Sequence, residues 1–206
     1  MTTEVGQHWD SVYCAKAFDE VSWYQPVPER SLRHIQDAAA DYEAAIIDVG
    51  GGASRLVDSL LDAGFADVTV LDISGNALQQ ARHRIGTRAE AVNWVVADVR
   101  TFLPDREFSI WHDRAVLHFL IDAEDRARYV KVLNRALLPG GTLVLSTFGP
   151  EGPLKCSGLE IRRYDIETLT ELLGAGFELQ RHELEDHETP GGASQQFLYS
   201  CWKRKE

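Results

Sequence analysis

From Ala44 onward, short apolar runs alternate with longer stretches whose apolar positions recur every three or four residues. The first pattern predicts buried strands, the second amphipathic helices, and their alternation predicts a doubly wound parallel sheet. The expected strands are Ala44 to Val49, Asp67 to Ile73, Val92 to Ala97, Phe108 to Asp113 and Thr142 to Phe148. Between them, helices are expected over about Ser54 to Ala63, ended by Gly64, and from Ser74 as N-cap to about Ile85. A third runs from Ala123 to Leu138, stopped at Pro139-Gly140-Gly141. After the Pro/Gly-rich stretch Gly149 to Tyr164 comes a short helix over Asp165 to Leu173. Two strand-like runs follow, Phe177 to Glu185 and Gln196 to Trp202, with Thr189-Pro190-Gly191-Gly192 between them, which predicts an antiparallel hairpin. Before Ala44, helices are expected over Val5 to Phe18 and Pro28 to Ala40. The result is a Rossmann-like α/β sheet of about seven strands, mostly parallel with a C-terminal antiparallel hairpin.

The most informative stretch is Ala44 to Ser54, AAIIDVGGGAS. A buried strand runs into three glycines and then a helix. Glycine permits a sharp turn and close approach by a ligand, and the following helix directs unpaired N–H groups outward. A nucleotide-like ligand at the carboxyl edge of the sheet is therefore expected. A dinucleotide fingerprint G-x-G-x-x-G fits Gly50 and Gly52 but would place its third glycine at Arg55. A phosphate loop would need Lys-Ser or Lys-Thr, and the segment has neither.

The remaining form, D-x-G-x-G with Asp48 first, resembles motif I of class I S-adenosylmethionine-dependent methyltransferases. That resemblance implies S-adenosylmethionine as methyl donor, with S-adenosylhomocysteine as product, and a loop built from Asp48, Gly50, Gly51 and Gly52. Asp72 closes the second expected strand about 20 positions past Gly52, where an acidic residue accepts from ribose hydroxyls. By the same resemblance, Asp98 meets the adenine amino group, Val99 covers the ring, and Ile73 and Ala97 complete the donor wall.

The fourth strand ends I-W-H-D-R-A-V-L-H-F-L and resembles the family's D-x-x-x-L-x-H stretch. This implies that Asp113 or Arg114 contacts the donor's amino-acid zwitterion. His112 and His118 are candidate catalytic bases, although each equally suits a structural role. The N-terminal W-D-x-x-Y, Trp9 to Tyr13, with Trp23-Tyr24, resembles the aromatic cap of elongation-factor lysine methyltransferases. In that reading Trp9, Tyr13 and Trp23 close over the donor, whose sulfonium is attracted to aromatic faces, and Tyr24 faces the acceptor. Trp9 and Tyr13, four apart, also suit a helix simply docked on the sheet. The Asn/Asp-Pro-Pro-Tyr motif of many amino-group methyltransferases is absent after the fourth strand. The late segment supplies further acceptor candidates in Cys156, Arg162, Tyr164 and His187.

Composition narrows these readings. At 206 residues, 44% hydrophobic and 26% charged, the chain suits one globular domain. Within it, 1–43 is expected as a helical cap, 44–148 as the donor core, and 149–206 as substrate loop and hairpin. A net charge of −11 disfavours a nucleic-acid partner. No apolar run reaches the about 20 residues of a membrane span, and the N-terminus lacks a signal-peptide pattern. Cys14, Cys156 and Cys201 are dispersed without C-x-x-C, as expected of reduced thiols in a cytoplasmic protein. The seven histidines lack metal-ligand spacing, so no metal is expected.

The expected activity is methyl transfer to a small-molecule acceptor by a monomer or homodimer. The alternatives are a lysine side chain of a protein, a thiol or metalloid acceptor served by convergent Cys156 and Cys201, and a non-catalytic donor-binding subunit. A nicotinamide oxidoreductase comes last.

Overall fold

The computed structural model describes residues 4–15 and 17–206. Seven strands form one sheet in the order β3-β2-β1-β4-β5-β9-β8. Five are parallel: β1 (Ile46–Val49), β2 (Val68–Asp72), β3 (Val92–Val96), β4 (Phe108–Arg114) and β5 (Leu137–Phe148). The last two, β8 (Phe177–Glu188) and β9 (Ser194–Arg204), are antiparallel. A two-residue pair, β6 (Lys155–Cys156) and β7 (Leu159–Glu160), stands apart within the late loop.

Helices cover both faces, which is why the central strands read as nearly unbroken apolar runs. Successive residues of a strand point to opposite faces, and the packing follows that alternation. Ile47, Val49, Trp111, Leu143 and Leu145 join Tyr129, Leu133 and Leu169 of α5 (Ala123–Ala136) and α6 (Ile166–Leu173). On the other face Ile46, Val70, Ile110 and Val144 pack with α2 (Glu29–Ala38), α3 (Leu56–Ala63) and α4 (Gly75–Ile85) through Ile35, Leu60 and Leu78. Ser74 caps α4 by accepting from the Ala77 N–H at 3.1 Å, and Gly64 ends α3 with φ +97°.

Several boundaries differ from the sequence expectation. The first helix, α1, ends at Ala15 rather than Phe18, and α3 starts at Leu56, two residues past Ser54. Helix α5 stops at Ala136, and β5 begins at Leu137 instead of Thr142. Pro139-Gly140-Gly141 therefore does not separate helix from strand. It forms an irregular part of β5, where the pairing with β4 shifts register and Gly140 takes φ +72°. Of the hairpin strands, β9 is longer than its apolar core at both ends and β8 at its carboxyl end. A polar residue can pair in a ladder without being buried, so hydropathy underestimates such strands.

Strand β8 ends the sheet, with a register irregularity between Leu179 and Arg181. It is tied to α2 by ion pairs of Glu183 with Arg30 and Arg33, and of Arg181 with Asp37 at 2.7 Å.

Candidate active site

The carboxyl ends of β1, β2 and β4 open onto a cavity of about 390 Å³, roofed by α1 (Glu4–Ala15) and the segment that follows it. Its position matches the rule that ligands of open α/β sheets lie beyond the strands' carboxyl ends. The roof is fastened to α4: Ser74 Oγ donates to Asp10 at 2.6 Å, and Gln80 Nε2 donates to the Tyr13 carbonyl at 2.7 Å. Beneath it, the Trp9 ring lies edge-on to Trp23 at 5.8 Å and to Phe119 at 5.0 Å, and Tyr13 lies 6.3 Å from Trp23. The result is an aromatic enclosure.

The glycine turn is held by its neighbours. Gly50 and Gly52 have φ of +68° and +47°. A Cβ at Gly50 would stand 2.0 Å from Val116 Cγ2, and one at Gly52 would stand 2.8 Å from the Tyr13 hydroxyl. At Gly51 it would meet Asp48 Oδ2 at 2.5 Å. Arg84 of α4 fixes the following residues by donating to the carbonyls of Ala53 and Ser54 at 2.8 and 2.7 Å, while pairing with Asp58.

Two carboxylates flank this turn from neighbouring strands. Asp48, 3% exposed, accepts from His112 Nδ1 at 2.7 Å, and His112 Nε2 meets Ser31 Oγ at 2.9 Å. Asp72, 7% exposed, accepts the Ser74 N–H at 2.8 Å. Burial pushes its carboxyl up to about 7, reinforced by the charge of Asp48. Asp98 lies farther along, gripped by Arg100: Nε donates to both oxygens at 2.9 and 3.0 Å, and Nη2 to one at 2.5 Å. That bidentate grip outweighs desolvation and holds Asp98 below the usual carboxylate range.

The residues present fit an adenosine-bearing donor. Asp72 is a buried carboxylate with acceptor capacity turned toward the cavity, Ile73 and Val99 offer apolar walls, and the glycine turn leaves no side chain in the way.

Most of the expected donor residues meet here: Trp9, Tyr13, Trp23, Asp48, Gly50, Gly51, Asp72, Ile73, Ala97, Asp98, Val99 and Arg114 all line the cavity, as do Tyr24, His112 and Cys156. Others do not. Gly52 sits behind Tyr13. Asp113 points to the opposite sheet face from His112, where it accepts the Tyr129 hydroxyl at 2.7 Å and the N–H groups of Val116 and Leu117. It is a structural carboxylate, not a zwitterion contact. His118 is fully buried and stacked on Phe148 with centroids 4.4 Å apart, its Nδ1 accepting the Phe148 N–H at 3.3 Å. Burial pushes its imidazole down to about 3, so it offers the cavity no base.

The late candidates are likewise dispersed. Tyr164 is buried in the α5–α6 core, and exposed Arg162 lies over its ring at 5.4 Å. His187 anchors the N-terminal segment through Ser22 O at 2.9 Å. Cys201 packs among Ile35, Ile46 and Val144 on the α2 face, in a different cluster from Cys156. The two thiols do not share the cavity. Sequence reasoning missed Arg100, Phe119, Phe197 and Glu160, which also line it. Arg100 alone left a signal, a basic residue two positions after an acidic strand end.

A parallel five-strand core, an antiparallel end and a glycine turn at the first strand define the class I methyltransferase architecture. Residues 47–145 match the family described as "Methyltransferase domain", and the chain resembles the class I S-adenosylmethionine-dependent methyltransferases in sequence and fold. Nodulation protein S of Rhizobium tropici is 30% identical over 142 residues, 69% of this chain and 58% of the relative. The eEF1A lysine and N-terminal methyltransferase of Mus musculus is 23% identical over 141 residues, 65% of this chain and 20% of that protein. The chain thus spans little more than half of the first relative and a fifth of the second. The N-methyltransferase NodS of Bradyrhizobium japonicum WM9, solved with S-adenosyl-L-homocysteine, superposes with a TM-score of 0.73 at 17% identity, covering 98% of this chain and 99% of NodS. Among the described residues, no cluster of three His, Cys, Asp or Glu is arranged for a metal, and no helix is long and apolar enough to cross a membrane.

Proposed function

We propose that this chain transfers the methyl group of S-adenosylmethionine to a small-molecule acceptor. The observation that carries the reading is a single cavity of about 390 Å³ running from Asp72 and Asp98 to the aromatic enclosure. Its size is that of small-molecule sites, about 300–1,000 Å³. When bound, the donor supplies a methyl group on a positively charged sulfur that is already an activated leaving group.

The chain's own residues do the rest. Asp72 accepts from the ribose hydroxyls, Ile73 and Val99 sandwich the adenine, and Asp98, oriented by Arg100, accepts from its amino group. Trp9, Trp23 and Phe119 stand around the sulfonium, contribute about 0.5–2 kcal/mol of cation–π attraction, and exclude water from the transfer line. His112 is held at both nitrogens by Asp48 and Ser31. Its task is to fix the β1–β4 edge, not to deprotonate the acceptor.

The eEF1A methyltransferase likeness and the aromatic cap favour a protein lysine as the second reading. The two-thiol reading falls because Cys156 lines the cavity while Cys201 packs in the separate α2-face cluster. We read the protein as cytoplasmic, and as a monomer or homodimer. Incubation with isotopically labelled donor and separate metabolite and protein extracts tests the acceptor class. Label should enter the small-molecule fraction, and label found only on protein would overturn the proposal in favour of the second reading.

A further inference from the structure

Arg114 ends β4 on the His112 face and reaches the cavity wall. Neutral groups hold its guanidinium in place. Nε donates to the Tyr199 hydroxyl at 3.0 Å, Nη1 donates to the Trp23 carbonyl at 2.9 Å, and the group rests 4.7 Å from the Phe197 ring centroid. Nη2 is buried and has no hydrogen-bond partner among the described residues. Other cavity arginines are matched differently: Arg100 pairs with Asp98 and Asp125, and Arg55 with Asp58. No described carboxylate pairs with Arg114. Two nearby imidazoles, His118 and His187, are both driven toward the neutral form, first by burial and then by the Arg114 charge.

Arg114 is partly buried, and a guanidinium drawn from water in this way normally has an anionic partner, because leaving it unpaired is costly. We infer that the partner is the acceptor: Arg114 recognises a carboxylate on the molecule to be methylated. This rests on the donor reading above and deepens it.

Two observations assign the arginine to the acceptor rather than to the donor's own carboxylate. It rests against Phe197, in the cluster of Phe148, Cys156 and Tyr199, which contains no residue of the donor turn, although Trp23 and Phe119 of the aromatic cap pack against it. Asp72 lies two strands away across β1, and Asp98 follows β3, one strand farther still. With Nε and Nη1 fixed by Tyr199 and Trp23, Nη2 carries the donors still unused, which an oxyanion entering the site would accept. The aromatic walls around it suit a carboxylate carried on a flat or apolar body.

Calorimetry on the whole chain saturated with S-adenosylhomocysteine tests this, using benzoate and its neutral counterpart benzamide as probes. Benzoate should bind about tenfold or more tightly than benzamide. R114Q should erase that preference, and R114K, which keeps the charge without the fork, should retain part of it. S-adenosylhomocysteine affinity should stay within about twofold in both variants. Equal affinity for the two probes in the unaltered chain, including binding of neither, overturns the inference without relying on any variant. It is also overturned if R114Q weakens S-adenosylhomocysteine but not 5′-methylthioadenosine, which lacks the amino-acid portion, since the arginine then serves the donor. Failure of S-adenosylhomocysteine to bind the unaltered chain would instead sink the donor reading. The benzoate–benzamide comparison on the ligand-free chain still decides the role of Arg114.

Discussion

Asp48 and His112 sit opposite one another in the register of two adjacent parallel strands, Oδ1 of one 2.7 Å from Nδ1 of the other. Ser31 of α2 takes the far side of the imidazole at 2.9 Å. A helix is thereby pinned to the sheet edge that bears the glycine turn. All three are buried polar groups, so the chain is sensitive to its middle member. His112→Phe leaves a buried carboxylate without its partner and should cost about 3–5 kcal/mol in urea unfolding. Ser31→Ala should cost only about 1 kcal/mol. Equal losses would mean that the histidine is not the joint.

Asp72 links donor binding to pH. Its folded-state carboxyl is raised from 3.8 to about 7, first by burial and then by Asp48. A raised value means that the folded chain holds this proton more tightly than the unfolded one. The stability Asp72 contributes is therefore complete below about pH 4 and is lost as pH rises through about 7. Ribose hydroxyls donate to the charged form, so S-adenosylhomocysteine should bind more tightly as pH approaches 7 and displace a proton below it. Calorimetry in buffers of different ionisation heat should detect that proton. In Asp72→Asn the release should vanish and affinity fall about tenfold or more. Binding without proton release near pH 6 in the unaltered chain would contradict the assignment.

Tyr129 is the principal side-chain donor to Asp113, and it also receives the Trp111 indole N–H at 3.0 Å. Burial raises the Asp113 carboxyl to about 6, and the Tyr129 hydrogen bond restrains that rise. Tyr129→Phe removes the restraint. It should destabilise the fold by about 1–3 kcal/mol near pH 7.5 and by less near pH 5, where the carboxyl is already largely protonated. Denaturant midpoints at the two pH values check the sign. An Asp113 serving the ligand instead would respond in donor affinity with little change in stability.

His118 gives a prediction of indifference. His118→Phe keeps the ring stacked on Phe148 and loses only the acceptor for the Phe148 N–H. Stability should drop by about 1–2 kcal/mol. The pH dependence of methyl transfer should keep its shape, because an imidazole driven to about 3 does not titrate in the working range. Loss of a limb from the pH–rate profile would restore the histidine to the mechanism.

The sheet and its glycine turn were legible because strands buried on both faces leave an unmistakable apolar run, and because few other structures need glycine at a strand's end. Asp72 could be placed for the same reason, and Asp98 from the apolar run of β3, although that strand is only partly buried. Asp113 misled because it was treated as a strand-end residue alone. Its alternation with His112 fixes it on the α5 face, a relation visible only once β4 is paired. Arg162, Tyr164 and His187 failed differently. Their positions depend on how the late loop and hairpin fold back, and local sequence does not encode that. Phe197 and Phe119 reached the cavity through such long-range contacts, while apolar pattern assigns them simply to the interior. The early start of β5 was hidden by Pro139-Gly140-Gly141, which reads as a stop and acts as a bulge.

The outer margin of β8 has a consequence for how these molecules behave in company. Among the described residues only β9 pairs with it, so a row of backbone donors and acceptors faces outward. Such a row invites another chain to add on, strand by strand. Here Glu178, Arg181, His182 and Asp186 are exposed along it, and the kink after Leu179 breaks its flatness. Charge and kink together make the margin a poor template, so concentrated solutions of this protein should resist fibre growth until those residues are replaced by β-branched apolar ones.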